Sequence, residues 1–97
     1  MTFTKEALIS EVSEDTGMTK KTVETLVEAV FNNITLALSQ GKKVKINGFG
    51  LFEPKHRAPR TGRNPHTNKP VPIPERTVPS FTAGKFLKEA VRKLDKS

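Results

Sequence analysis

Apolar residues recur at helical spacing in the first part of the chain. Leu8, Ile9 and Val12 fall on one face, and Thr4 stands where a hydroxyl can cap the first turn. Gly17 suits the left-handed position that closes a helix, and Thr19 can cap a second one. In that second helix Val23, Leu26, Val27, Val30, Phe31, Ile34, Ala37 and Leu38 return at threes and fours. At 100° per residue they cover roughly 140°, wider than the ~100° stripe that serves one core. Gly41 ends the helix. The period then becomes two: Lys43-Val44-Lys45-Ile46 alternates, Asn47-Gly48 is a hairpin signal, and Phe49 to Glu53 returns as a second strand. Thr77 to Phe81 predicts a short third strand. Thr82 is the expected cap of a last helix whose apolar face is Phe86, Leu87, Ala90, Val91 and Leu94.

The fold class is therefore α+β in a single domain over residues 1–97. A helical hairpin covers 1–41, an antiparallel sheet of three strands draws on 42–53 and 77–81, and a C-terminal helix covers 82–95. Residues 54–76 stand apart. They could be a cationic, proline-rich linker, but the proline spacing argues for structure. In a strand the N–H groups of alternate residues point to one edge, so Pro70, Pro72 and Pro74 remove donors from one edge only. Val71, Ile73 and Glu75 keep theirs for pairing. That describes one leg of a two-stranded ribbon with a blunted outer edge, its tip at Gly62 to Asn68. Pro54 and Pro59 lie an odd number apart, so the other leg must start late or contain a bulge.

Charge sharpens the picture. The chain has 97 residues and a net charge of +7. Residues 1–40 hold three cations against six acids, a net of −3, while residues 41–97 hold fourteen against four, a net of +10. Such asymmetry points to a polyanionic partner met by the C-terminal part. There is no Cys, so disulfides are excluded and a reducing compartment is expected. No apolar run is long enough for a membrane span, and Glu6 breaks any signal-peptide pattern.

Two helices joined at Thr16-Gly17-Met18 invite a helix-turn-helix reading, but Glu24 and Glu28 would face phosphates on the second helix. Its broad apolar arc serves better as an interface. A domain with some 20 residues in an arm is short of core, and pairing two copies supplies the missing burial. Val30, Phe31, Ile34, Leu38, Phe49 and Phe52 are the expected dimer core. On the last helix Lys85, Lys88, Arg92 and Lys96 form a cationic stripe opposite the apolar face, suited to phosphate contact, with N–H groups at Thr82-Ala83-Gly84 adding to it. Gly62-Arg63-Asn64-Pro65 is either an ordinary turn or a wedge. A proline at a cationic tip is rigid and donor-free, so it can enter a base step without stranding a polar group.

Three blocks now carry a resemblance: Gly48-Phe49-Gly50-Leu51-Phe52-Glu53, Arg57-Ala58-Pro59-Arg60-Thr61-Gly62-Arg63-Asn64-Pro65, and Pro79-Ser80-Phe81-Thr82-Ala83-Gly84-Lys85. They are similar to signature blocks of the bacterial HU/IHF nucleoid proteins, and the likeness runs ungapped from about Thr4 to Val91. It implies an intertwined homodimer with a helical body and two β-ribbon arms that wrap duplex DNA through the minor groove. The intercalating residue would be Pro65. DNA contacts would come from Lys5, Lys55, Arg57, Arg60, Arg63, Asn64 and Lys69, and on the body from Lys85, Lys88 and Arg92. The chain departs from the HU pattern at Asn68, where Gly is usual after the tip, and at Thr77 and Thr82, where lysines are common. Its proline-rich leg is also heavier than usual.

The resemblance implies a histone-like architectural protein of the cytoplasmic nucleoid that bends and compacts DNA with little sequence preference. An IHF-like site-specific bender is the close alternative, and an RNA-binding or ribosomal protein a more distant one. Few aromatic residues stand ready to stack on RNA bases in the basic segment. An enzyme is not expected, since Glu53 and Glu75 are the only acids between residues 29 and 88. His56 and His66 lack Cys or acidic neighbours along the chain, so no metal, cofactor or small-molecule substrate is expected.

Overall fold

The computed structural model describes residues 1–95, in two compact units, the first spanning residues 1–36 and the second beginning at Ala37. The first holds α1 (Lys5–Thr16) and most of α2 (Lys20–Ser39). The Thr4 hydroxyl oxygen accepts the Ala7 N–H at 3.2 Å, and Gly17 closes α1 at φ 74° with its N–H on the Ser13 carbonyl. Thr19 begins α2 the same way, its hydroxyl accepting the Thr22 N–H. These caps satisfy donors that the first and last turns would otherwise leave open. Within the unit Ile9 and Val23 are buried, yet Leu26, Val30 and Phe31 on α2 remain 51%, 54% and 47% exposed. One chain leaves these three positions of the apolar arc uncovered.

The second unit begins at Ala37, within the last turn of α2. Gly41, at φ 80°, donates to the Leu38 carbonyl while the Lys42 N–H reaches back to Ala37. This paired closure is the Schellman arrangement, which only a residue at ease with positive φ permits. The strands β1 (Val44–Ile46), β2 (Gly50–Arg57), β3 (Arg60–Arg63), β4 (Pro70–Ile73) and β5 (Arg76–Ala83) follow, then α3 (Lys85–Arg92) and a 3-10 turn at Lys93–Asp95. One antiparallel sheet has the order β1-β2-β5, and β3 pairs with β4 in a second. Ile46 faces Gly50, so the hairpin loop is Asn47–Phe49, with Gly48 at φ 81°. The Phe81 ring packs on Phe52 and Phe49 at centroid distances of 4.7 and 5.5 Å. Gly50 is what lets it in: a Cβ there would stand 2.5 Å from the ring and 2.7 Å from the Thr82 carbonyl.

The sheet is longer than the alternation predicts. β2 runs on through Pro54 to Arg57, and β5 starts at Arg76 and ends at Ala83. Thr82 is consequently a strand residue opposite Leu51, and the cap of α3 is Gly84, with no side-chain bond. The Gly84 N–H donates to the Phe49 carbonyl at 2.8 Å, so that donor is already used. Local propensity favours threonine at a cap, but ladder pairing holds Thr82 in the sheet. The α-helix itself stops at Arg92, short of residue 95.

Candidate nucleic-acid interface

The arm grows directly out of the sheet. Every cross-strand pair from Gly50–Ala83 to Arg57–Arg76, and again from Arg60–Ile73 to Arg63–Pro70, follows one register. Only Ala58-Pro59 and Pro74-Glu75 interrupt it, and that register sets Pro59 opposite Pro74. Pro54 faces Pro79 in the same way nearer the body. Antiparallel pairs alternate between bonded and non-bonded classes. Counting from the Gly84 N–H bond to Phe49 puts Pro54–Pro79 in the non-bonded class, their nitrogens pointing outward. Counting from the Asn64 N–H bond to Lys69 puts Pro59, Pro70, Pro72 and Pro74 in that class too. The two counts differ by one residue. The bonding phase therefore switches across the interruption, and the odd spacing of Pro54 and Pro59 is met there without an inserted residue.

The tip is a tighter turn than the expected Gly62 to Asn68, because Gly62 and Arg63 are still strand. Asn64 builds it: its side-chain oxygen accepts the His66 N–H at 2.8 Å, and its carbonyl accepts the Asn68 N–H at 2.8 Å. Pro65 follows as the first residue of that turn, where its locked φ suits the geometry and its missing donor costs nothing. Asn68 takes the left-handed conformation at φ 56°, which asparagine tolerates better than most residues. The Arg63 guanidinium donates to the Asn68 carbonyl at 3.1 Å, bracing the tip from below. Pro65 is exposed at its end.

Cross-strand pairs share a face, so Arg60 lies with Gly62, Val71 and Ile73, and Arg63 with Thr61, Pro70 and Pro72. The arm thus carries cations on both faces. Arg57, Arg60, Arg63, Lys69, Lys85, Lys88 and Arg92 are all exposed. On α3, Lys85, Lys88 and Arg92 share one side by their spacing, while Phe86 and Val91 point elsewhere and are exposed as well. Lys96 lies outside the described residues. Two candidates are already engaged: Lys5 pairs with Glu28 at 3.2 Å, and Lys55 approaches Glu53 at 3.8 Å, which Lys43 also meets at 3.6 Å. Sequence reasoning passed over Arg76, because only the register reveals that it stands directly across from Arg57.

Among the described residues no group of three His, Cys, Asp or Glu could hold a metal ion, and no helix is long and apolar enough to cross a membrane. His56 Nε2 lies 3.2 Å from a Glu75 carboxylate oxygen across the ribbon.

Known proteins share this sequence and shape. The family model described as "Bacterial DNA-binding protein" matches residues 3–92. The DNA-binding protein HU of Thermotoga maritima is 48% identical over 90 residues, 93% of this chain and 100% of that protein. HU of Staphylococcus aureus is 49% identical over 88 residues, 91% of this chain and 98% of its own. Among solved structures, an Anabaena HU–DNA cocrystal superposes with a TM-score of 0.86 at 42% identity, covering 91% of this chain and 96% of that one. A match of this length, with identity sustained across whole relatives, makes the chain an HU-like member of the bacterial DNA-binding protein family.

Proposed function

We propose that the protein is an architectural DNA-binding protein that bends and compacts duplex DNA with little sequence preference, acting as a homodimer in the cytoplasmic nucleoid. The observation that carries this reading is the arm: a ribbon with cations on both faces, ending in an exposed Pro65 held by Asn64. Lys55, Arg57, Arg60, Arg63 and Lys69 neutralise phosphates along the groove, and Pro65 enters a base step. Unstacking that step costs a few kcal/mol, which the contacts of a bent duplex recover. Lys85, Lys88 and Arg92 on α3 meet the flanking DNA, and Lys5 joins them by exchanging Glu28 for a phosphate. Val30, Phe31, Ile34, Leu38, Phe49 and Phe52 supply the surface between two copies; the exposure of Val30, Phe31 and Phe49 in one chain supports this.

The test is a titration of duplex DNA at several salt concentrations, with bend angle read by energy transfer. About eight to ten phosphates neutralised per dimer give a slope of log K against log salt of roughly −7 to −9. A slope near −2, or binding without a bend, would overturn the reading. Strong preference for one duplex over random sequence would replace it with a site-specific bender, and preference for structured RNA with an RNA-binding protein.

A further inference from the structure

We infer that Arg57, Arg60 and Arg76 form an oxyanion site at the root of the arm, which takes one phosphate group of the duplex backbone. The inference rests on the DNA-binding reading above and adds to it a residue, Arg76, and a defined place. Arg57 and Arg76 are directly opposed in the β2–β5 ladder, the last pair before the interruption. With Ala58 and Arg60 they line a cavity of about 350 Å³. Directly opposed like charges destabilise a sheet, so this pair works against the free protein's own ladder. Such a conflict between local stability and sequence choice is expected where a ligand supplies the missing charge.

The surroundings leave that charge missing. Among the described residues none of the three guanidiniums has an ion pair or hydrogen bond. The arm's only acid, Glu75, has its carboxylate 3.2 Å from His56 Nε2. By alternation both lie on the face of the ribbon opposite Arg57 and Arg76. Glu53 shares the arginine face but is occupied by Lys43 and Lys55. Ala58 adds only a methyl, so the floor of the cavity leaves room for an ion. Each guanidinium presents paired donors that match two oxygens of a phosphate, and three arginines lining one cavity suit a tetrahedral oxyanion. Among the described residues no backbone hydrogen bond crosses the ribbon at the interruption, so a phosphate held there also ties the two strands together.

The experiment uses the full dimer. Duplex titrations across salt compare the parent with Arg76→Ala, Arg76→Lys and, as a control cation elsewhere, Lys20→Ala. Arg76→Ala leaves Arg57 and Arg60 on the phosphate, so it should weaken binding about ten-fold while the slope becomes shallower by less than about 2, and Lys20→Ala should change neither. Arg76→Lys keeps the charge but loses the paired donors, so it should retain the slope and weaken binding several-fold. An affinity for Arg76→Ala equal to the parent's at every salt concentration would overturn the site. A shallow slope in the parent itself would instead remove the DNA-binding reading, and is seen before any variant is made. Pyrophosphate titrated into the DNA-free protein, followed through the arginine Nε–H resonances, separates the sources of oxyanion. Joint shifts of Arg57, Arg60 and Arg76 support a built cradle, and equal shifts of every arginine contradict it. Tight pyrophosphate binding beside a DNA affinity that Arg76→Ala leaves unchanged would assign the cradle to free oxyanions and overturn its duplex role.

Discussion

Pro54 stands directly opposite Pro79 in the ladder between β2 and β5. Two donorless residues can face each other in a continuous sheet only where both nitrogens point away from the pair. Val78, one residue before Pro79, therefore has its N–H aimed at β2, opposite Lys55. Pro79→Ala should change stability by less than about 1 kcal/mol, since it alters only the flexibility of the unfolded chain. Val78→Pro should cost about 3 kcal/mol by deleting a ladder bond, against a Val78→Ala control for the side chain. Thermal denaturation distinguishes them, because about 3 kcal/mol lowers the midpoint by 10 °C or more. Equal midpoints for Val78→Pro and Val78→Ala would refute the assigned phase.

The uncovered face of α2 should make folding depend on a second copy. Phe31→Asp or Ile34→Asp places an unpaired charge in the interface, where desolvation costs several kcal/mol. Loss of helical signal together with loss of the dimer is the expected result. A well-folded monomer in sedimentation at micromolar concentration would show that the face needs no partner.

Two glycines should respond differently to a methyl group. At Gly50 the added carbon meets the Phe81 ring at 2.5 Å and the Thr82 carbonyl at 2.7 Å, and the backbone cannot step aside. Gly50→Ala should destabilise by about 1–3 kcal/mol or more. At Gly62 the nearest atom is Ile73 Cδ1 at 2.7 Å, the end of a side chain that can rotate on an exposed arm. Gly62→Ala should stay within about 0.5 kcal/mol of the parent. Denaturant titration of both variants checks the order, and a larger loss at Gly62 would contradict it.

At the tip, charge and wedge should separate. Pro65→Ala keeps every cation, so the salt slope should hold while the bend angle falls and preference for nicked or gapped duplexes weakens. Arg60→Ala with Arg63→Ala should weaken binding on all sequences, with bound complexes still kinked. Energy transfer and affinity measured on one duplex read both effects. An unchanged bend in Pro65→Ala would leave Pro65 only the role of first residue in the tip turn.

Much of this molecule is written in short stretches of its sequence, because the interactions that decide them span four or five residues. Thr4 and Thr19 cap their helices, Gly17 and Gly41 close them at positive φ, and Asn64 with Pro65 makes the tip turn. The spacing of Pro70, Pro72 and Pro74 likewise reports which edge of a strand has lost its donors, a question settled within one strand.

What needed the tertiary structure was everything that depends on two elements meeting. Thr82 has the chemistry of a cap, yet pairing with Leu51 keeps it in β5 and passes the cap to Gly84. Lys5 reads as a free cation until a fold brings Glu28, twenty-three residues away, to 3.2 Å. Arg57 and Arg76 are nineteen positions apart and become neighbours only when the register is set. Local backbone preferences act over a single turn and are present in the isolated segment. Register and charge proximity arise only once loop closure has been offset by packing and pairing.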